Sequence, residues 1–197
     1  MSTSTLLTIE DVDRMIARGE FDGPHAKRVE LIRGELREMS PTGTDHINMV
    51  NWLTDWTSDV LDRRRFQASI QNAVEIPELA TMPHPDVVWL SRKRSMRRRP
   101  RVPDVMLLFE VADSSLAYET SVKAQIYSEA GVRDYWVVDL PNRKLHLFRD
   151  PSESGFQSCE VHTGDTLVTP LLVPEISVTV SELFAVLELD DVDDESR

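Results

Sequence analysis

The spacing of apolar and polar positions changes along this chain, and each change marks an element. Thr8-Ile9-Glu10-Asp11 has the form of a capped helix start, with Thr8 placed to accept from free backbone N–H groups and the acids at the positive end of the dipole. A short helix to about Ala17 is predicted, broken by Gly19, Gly23 and Pro24. Val29-Glu30-Leu31-Ile32 and Glu35-Leu36-Arg37-Glu38-Met39 alternate on either side of Arg33-Gly34, the pattern of a β-hairpin. After a loop at Ser40 to Gly43, Ile47, Val50, Leu53, Thr54, Thr57, Val60 and Leu61 recur at helical spacing, predicting a long helix from Thr44 to Arg63.

Short continuous apolar runs then replace the amphipathic patterns. Phe66 to Ile76 reads as one strand or a bent pair, and Pro77 to Pro85 as a connection. Asp86 to Leu90, Val105 to Val111 and Asp134 to Asp139 have the pattern of strands buried on both faces, each with an acid at or near one end. A helix from Tyr118 to Ala130 is predicted between the last two, with Gly131 as its left-handed cap. Pro141-Asn142 turns the chain into Leu145 to Phe148. Phe156 to Val161, Leu167 to Leu172 and Ile176 to Val178 predict further strands, and Ser181 to Leu187 a closing helix. The pattern is that of an α/β chain with a mixed sheet, an additional N-terminal hairpin and C-terminal strands.

The chain's 197 residues suit one domain, expected over 1–187, with 188–197 a solvated, disordered acidic tail. One cysteine, Cys159, excludes an intramolecular disulfide and a thiolate metal cage, and suits the cytoplasm. No apolar run approaches the roughly 20 residues of a membrane span. Met1 to Thr8 has neither a basic patch nor an apolar core, so no export signal is expected. A net charge of −12 argues against a protein that coats nucleic acid. The distribution changes that picture, because Arg92, Lys93, Arg94, Arg97, Arg98, Arg99 and Arg101 hold seven of the 22 basic residues. That stretch is expected on the loop leaving the Asp86 strand, beside the acids, where a phosphate backbone would lie; a solvated loop is the alternative.

Asp86 and Glu110 are the informative acids. Pro85 fixes the entry to the first strand, and Glu110 interrupts an apolar run. On neighbouring strands they would offer hard oxygen ligands to a divalent cation; otherwise each simply ends a strand in water.

Val29 to Leu36, His46, Pro85-Asp86-Val87-Val88, Phe109-Glu110-Val111, Lys123 and Ala130 to Asp139, in that order, resemble the Uma2 family over about residues 8 to 187. The resemblance implies a restriction-endonuclease-like core of the PD-(D/E)XK kind and an endonuclease acting on nucleic acid, expected to be DNA. It also implies Mg²⁺ or Mn²⁺ held by Asp86 and Glu110, with Lys123, Glu30 and His46 completing the catalytic set. Where the superfamily has a lysine two residues after the second acid this chain has Ala112, and the resemblance implies that Lys123 on the following helix takes that place. Asp113 adds an acid where the family commonly has serine. Lys123 also admits a plain reading, a surface i,i+4 pair with Glu119. A catalytically silent nucleic-acid-binding or protein-interaction module is the alternative function, and a homodimer an open possibility.

Overall fold

The computed structural model describes residues 6–23 and 27–191. The start of the N-terminal stretch from Met1, Pro24, and the acidic tail beyond Asp191 lie outside those residues. The first helix, α1 (Ile9–Ala17), begins at Thr8 with a reciprocal cap, Thr8 accepting from the Asp11 N–H and Asp11 from the Thr8 N–H. The hairpin follows as β1 (Val29–Ile32) and β2 (Glu35–Glu38). Its two-residue turn uses φ of 50° at Arg33 and 79° at Gly34, the positive pair that matches strand twist.

Helix α2 (Thr44–Val60) is shorter than its pattern predicted. Its end is set by Asp62, whose carboxylate accepts from the Arg64 N–H and whose carbonyl accepts from Arg65 and Phe66. A six-stranded sheet then forms in the order β3 (Phe66–Ile70), β4 (Val87–Ser91), β5 (Val105–Ala112), β6 (Asp134–Asp139), β7 (Lys144–Arg149) and β8 (Ser158–His162). Only β5 and β6 are parallel. Their connection carries one unbroken helical run: α3 (Leu116–Tyr118), a π-helical turn over Glu119–Lys123, and α4 (Ala124–Glu129). Gly131 ends it at φ 86°.

The mixed α/β class expected from the pattern is therefore present, and the differences have local causes. The two C-terminal strands predicted after β8 shrink to the two-residue β9 (Leu167–Val168) and β10 (Val178–Thr179), which pair with each other. Pro170 and Pro174 lack the N–H that a longer ladder requires. Helix α5 (Val180–Phe184) starts at a Thr179–Glu182 cap and runs into a 3₁₀ turn over Ala185–Asp191. Glu188, the first residue of the expected tail, lies in that turn and pairs with Arg143 at 2.6 Å.

Strand parity divides the core. Val87, Trp89, Leu107, Phe109, Val111, Trp136 and Val138 face α2 and α5, where Trp56 packs on Trp89 and Phe109 on Trp136. Val88, Leu90, Leu108, Ala112, Tyr135 and Val137 face the other side, against Ile126 and Tyr127 of α4. Trp136 and Tyr135, expected as core, are fully buried. Asp86 and Glu110 have the parity of the second set, so the sheet presents both acids to the α3–α4 side. Among the described residues no helix is long and apolar enough to cross a membrane.

Candidate active site

Antiparallel pairing of Val87 with Phe109 and Val88 with Leu108 sets Asp86 opposite Glu110, one step further along the same register. The two acids thus reach one end of the sheet, at the floor of a cleft of about 390 Å³. Glu30, His46, Asp86, Glu110 and Lys123, all expected from the sequence, line it. So do Arg28, Arg37, Gln71, His84, Asp113, Tyr118 and Glu119. Of these, the sequence pattern marks only Asp113 and Glu119, neither of them as a functional group.

Asp86 is nearly buried yet well supplied with donors. The Val111 N–H donates to its Oδ2 at 2.8 Å, and His46 Nε2 lies 3.2 Å from the same oxygen. Gln71 Nε2 donates to Oδ1 at 3.1 Å. Burial pushes the Asp86 carboxyl up, but the bond and charge of His46, with those from Val111 and Gln71, hold it below its usual range. His46 comes from the first turn of α2, and its Nδ1 is buried without a partner.

Glu110 is handled differently. Lys123 Nζ donates to its Oε1 at 2.9 Å and Tyr127 O–H to the same atom at 2.8 Å. Burial drives this carboxyl well above the usual value; Lys123 opposes the rise, and the charges of Glu119, Asp86 and Glu30 add to it. Lys123 is itself 4% exposed, which rules out the solvated helix-surface pair. Its Nζ also lies 3.3 Å from Glu30 Oε1 and 3.4 Å from Glu119 Oε2. Burial pulls the ammonium down, but Glu110, Glu119 and Glu30 together hold it well above its ordinary range.

The π turn supplies this geometry. The Ala124 N–H reaches the Glu119 carbonyl five residues back, and Tyr135 O–H donates to the same carbonyl at 3.0 Å. Both Glu119 and Lys123 are turned inward as a result. Glu119 Oε2 has charge contact with Lys123 but no hydrogen bond, and burial raises this carboxyl to about 7, against Lys123 and with Glu30 and Asp86. Glu30 accepts from the His84 N–H at 2.8 Å. The His84 imidazole is lowered, mainly by burial, against the pull of Glu30. A Cβ placed on Gly43 would stand 3.3 Å from Asp113 Oδ2, so this acid packs on the start of α2, where the dipole favours it.

The basic stretch is the main correction. Asp86 precedes β4, whereas Arg92 follows its far end, so a strand of five residues, ~17 Å at about 3.4 Å each, separates them. None of Arg92, Lys93, Arg94, Arg97, Arg98, Arg99 and Arg101 lines the cleft. Several are engaged within the chain: Arg98 with Asp104, Arg99 with Asp13 and Glu75, Arg101 with Glu75. Arg94 donates to the carbonyls of Ser95 and Arg98, and Arg92 to that of Phe66.

Six acids line the cleft, Glu30, Glu38, Asp86, Glu110, Asp113 and Glu119, against three permanent cations, Arg28, Arg37 and Lys123. Among the described residues no three His, Cys, Asp or Glu side chains are grouped to hold a metal ion. Mg²⁺ requires fewer, since it commonly takes one or two carboxylates and keeps its waters. The hard oxygens of Asp86 and Glu110, in a cleft of negative balance, fit that donor chemistry.

A family model described as "Uma2: Putative restriction endonuclease" matches residues 10–181. No curated protein matches the chain. A solved structure from Anabaena variabilis ATCC 29413, described as a "putative nuclease belonging to DUF820", superimposes with a TM-score of 0.71 at 14% identity. The match covers 92% of this chain and 99% of that one, and shows a shared fold. With its mixed sheet, flanking helices and a family match spanning most of its length, the chain belongs to the Uma2 family.

Proposed function

We propose that this protein is a nuclease that hydrolyses nucleic-acid phosphodiester bonds with a divalent cation, Mg²⁺ or Mn²⁺, held by Asp86 and Glu110. The observation that carries the proposal is the contact of Lys123 with Glu110 at 2.9 Å in the cleft that Asp86 also lines. The descriptions of the family and of the structural neighbour, restriction endonuclease and nuclease, point to the same chemistry. When bound, the cation supplies a Lewis acid and a water of lowered pKa.

The chain's own groups do the rest. Asp86 stays ionised through His46, Gln71 and the Val111 N–H. Lys123 opposes protonation of Glu110, and its ammonium offsets charge that develops on a phosphate. Glu30 holds Lys123 from the hairpin side, and His46 fixes the Asp86 carboxylate.

Purified protein incubated with single- and double-stranded DNA and either Mg²⁺ or Mn²⁺ tests the reading. Asp86→Ala is expected to lower cleavage at least about a hundredfold, the scale of losing one preorganised electrostatic group. Equal cleavage by the variant would sink the assignment. A second reading, a nucleic-acid-binding module without turnover, is favoured by one observation: Lys123 already occupies the centre of the carboxylate cluster, 2.9 Å from Glu110. Affinity for DNA with no cleavage under either ion selects it.

A further inference from the structure

The hairpin brings a second set of groups to the cleft. Glu30 and Arg37 are cross-strand partners, so their side chains leave the same face. Arg28 precedes Glu30 by two positions, and the Met39 N–H donates to its carbonyl at 2.9 Å, continuing the ladder. Its side chain therefore shares that face. All three line the cleft, Glu30 deep and the two arginines exposed.

The hairpin's basic residues divide into two kinds. Lys27 pairs with Glu38 and Arg33 with Glu129, both at 2.6 Å. Arg28 and Arg37 face the cleft with no carboxylate partner among the described residues. Arg37 instead lies over the Tyr118 ring, 5.6 Å from its centroid, and Lys123 Nζ lies 5.9 Å from the same centroid. A guanidinium held by an aromatic face keeps its N–H fork open to a ligand. The Tyr118 hydroxyl, also in the cleft wall, is out of solvent and has no hydrogen-bond partner.

An unpaired guanidinium pair in a chain of charge −12 calls for an anionic ligand, and its planar fork fits phosphate oxygens. We infer that Arg28, Arg37 and Tyr118 grip a backbone phosphate of a nucleic-acid strand, next to the one presented to Asp86 and Glu110. The inference rests on the nuclease reading of the same cleft and adds its substrate-positioning wall. Contacts of this kind fix register without reading bases, so the grip is independent of sequence.

Fluorescence anisotropy with a labelled oligonucleotide, as a single strand and as a duplex, tests it in Ca²⁺ between about 50 and 200 mM salt. Arg28→Gln and Arg37→Gln are each expected to weaken binding about tenfold and to lower the salt slope by about 1. Arg37→Lys should fall between, keeping charge without the fork. Arg64→Gln removes the same charge from an exposed arginine outside the cleft and should change affinity less than about twofold. The stronger arm, single strand or duplex, identifies the form of nucleic acid gripped. Thermal midpoints are measured alongside, and Arg37→Lys serves if a glutamine variant fails to fold.

Affinity and slope unchanged in both glutamine variants overturn the grip. So does an equal loss in Arg64→Gln, which would mark a bulk charge effect. A wild-type protein that binds and cleaves while the variants match it loses the grip alone. A wild-type protein that binds neither form loses the nuclease reading with it.

Discussion

Replacing Glu119 with glutamine isolates the electrostatic strain stored around Lys123. In the folded protein this carboxyl keeps its proton up to about 7, against 4.5 for an ordinary glutamate, because burial disfavours its charge more than Lys123 favours it. Between those values the native state binds more protons than the unfolded chain, so stability falls as pH rises. The contribution is complete below about 4.5 and is lost as pH passes through about 7. At ~1.4 kcal/mol per pH unit the loss is about 3 kcal/mol. For a chain of this size that corresponds to ~6–12 °C in melting temperature.

The assay is thermal unfolding from pH 5 to pH 8 in EDTA, wild type against Glu119→Gln. Glutamine keeps the shape and carries no charge, so the variant should lose most of the decline. His84, lowered by burial, acts oppositely: the unfolded chain binds more protons, and stability rises toward pH 6.5. That effect is common to both proteins and cancels in the comparison. Glu110, also raised and sharing Lys123, titrates with Glu119 as a pair, so the difference between the curves belongs to the pair. Parallel curves for the two proteins would refute the reasoning.

Lys123→Met removes the ammonium from three nearly buried carboxylates. Cleavage should fall at least about a hundredfold, and stability by up to ~3–5 kcal/mol where the acids stay charged. Since Glu110 and Glu119 can take up protons instead, chemical denaturation should show a smaller cost at pH 5 than at pH 8; equal costs contradict the clustered charge. Gly34→Ala forces a Cβ to 2.8 Å from Leu6 Cβ at φ 79°, and should cost about 2 kcal/mol in urea unfolding. A neutral result there would mean that the hairpin turn relaxes freely.

The sequence carried the centre of the sheet because β4, β5 and β6 are buried on both faces and therefore read as continuous apolar runs. Parity was legible too: Asp86 shares it with Val88 and Leu90, and Glu110 with Leu108 and Ala112. What failed was direction. The basic stretch followed the Asp86 strand in sequence, and a strand ends far from where it starts. The burial of Lys123 was hidden because a Glu119–Lys123 pair at i,i+4 has the same spacing on a wet face as beneath a π turn. Arg28 and Arg37 could have been found, since a two-residue turn at Arg33-Gly34 already sets Glu30 opposite Arg37.

The position of the lysine decides how the site is assembled. Ala112 shares the strand face of Glu110 and is fully buried, so a lysine there would approach Glu110 along its own strand and answer to β5 alone. From the helical turn, one ammonium instead contacts Glu30 on the hairpin, Glu110 on the sheet and Glu119 on its own helix. Each of those carboxylates is costly to bury charged without it. The hairpin, the sheet end and the α3–α4 connection are therefore held in register by the same group that opposes protonation of Glu110. Asp86, with three donors of its own, does not depend on it. Loss of Lys123 should thus separate the two acids in behaviour, leaving Asp86 low while the Glu110 carboxyl, already raised, rises further.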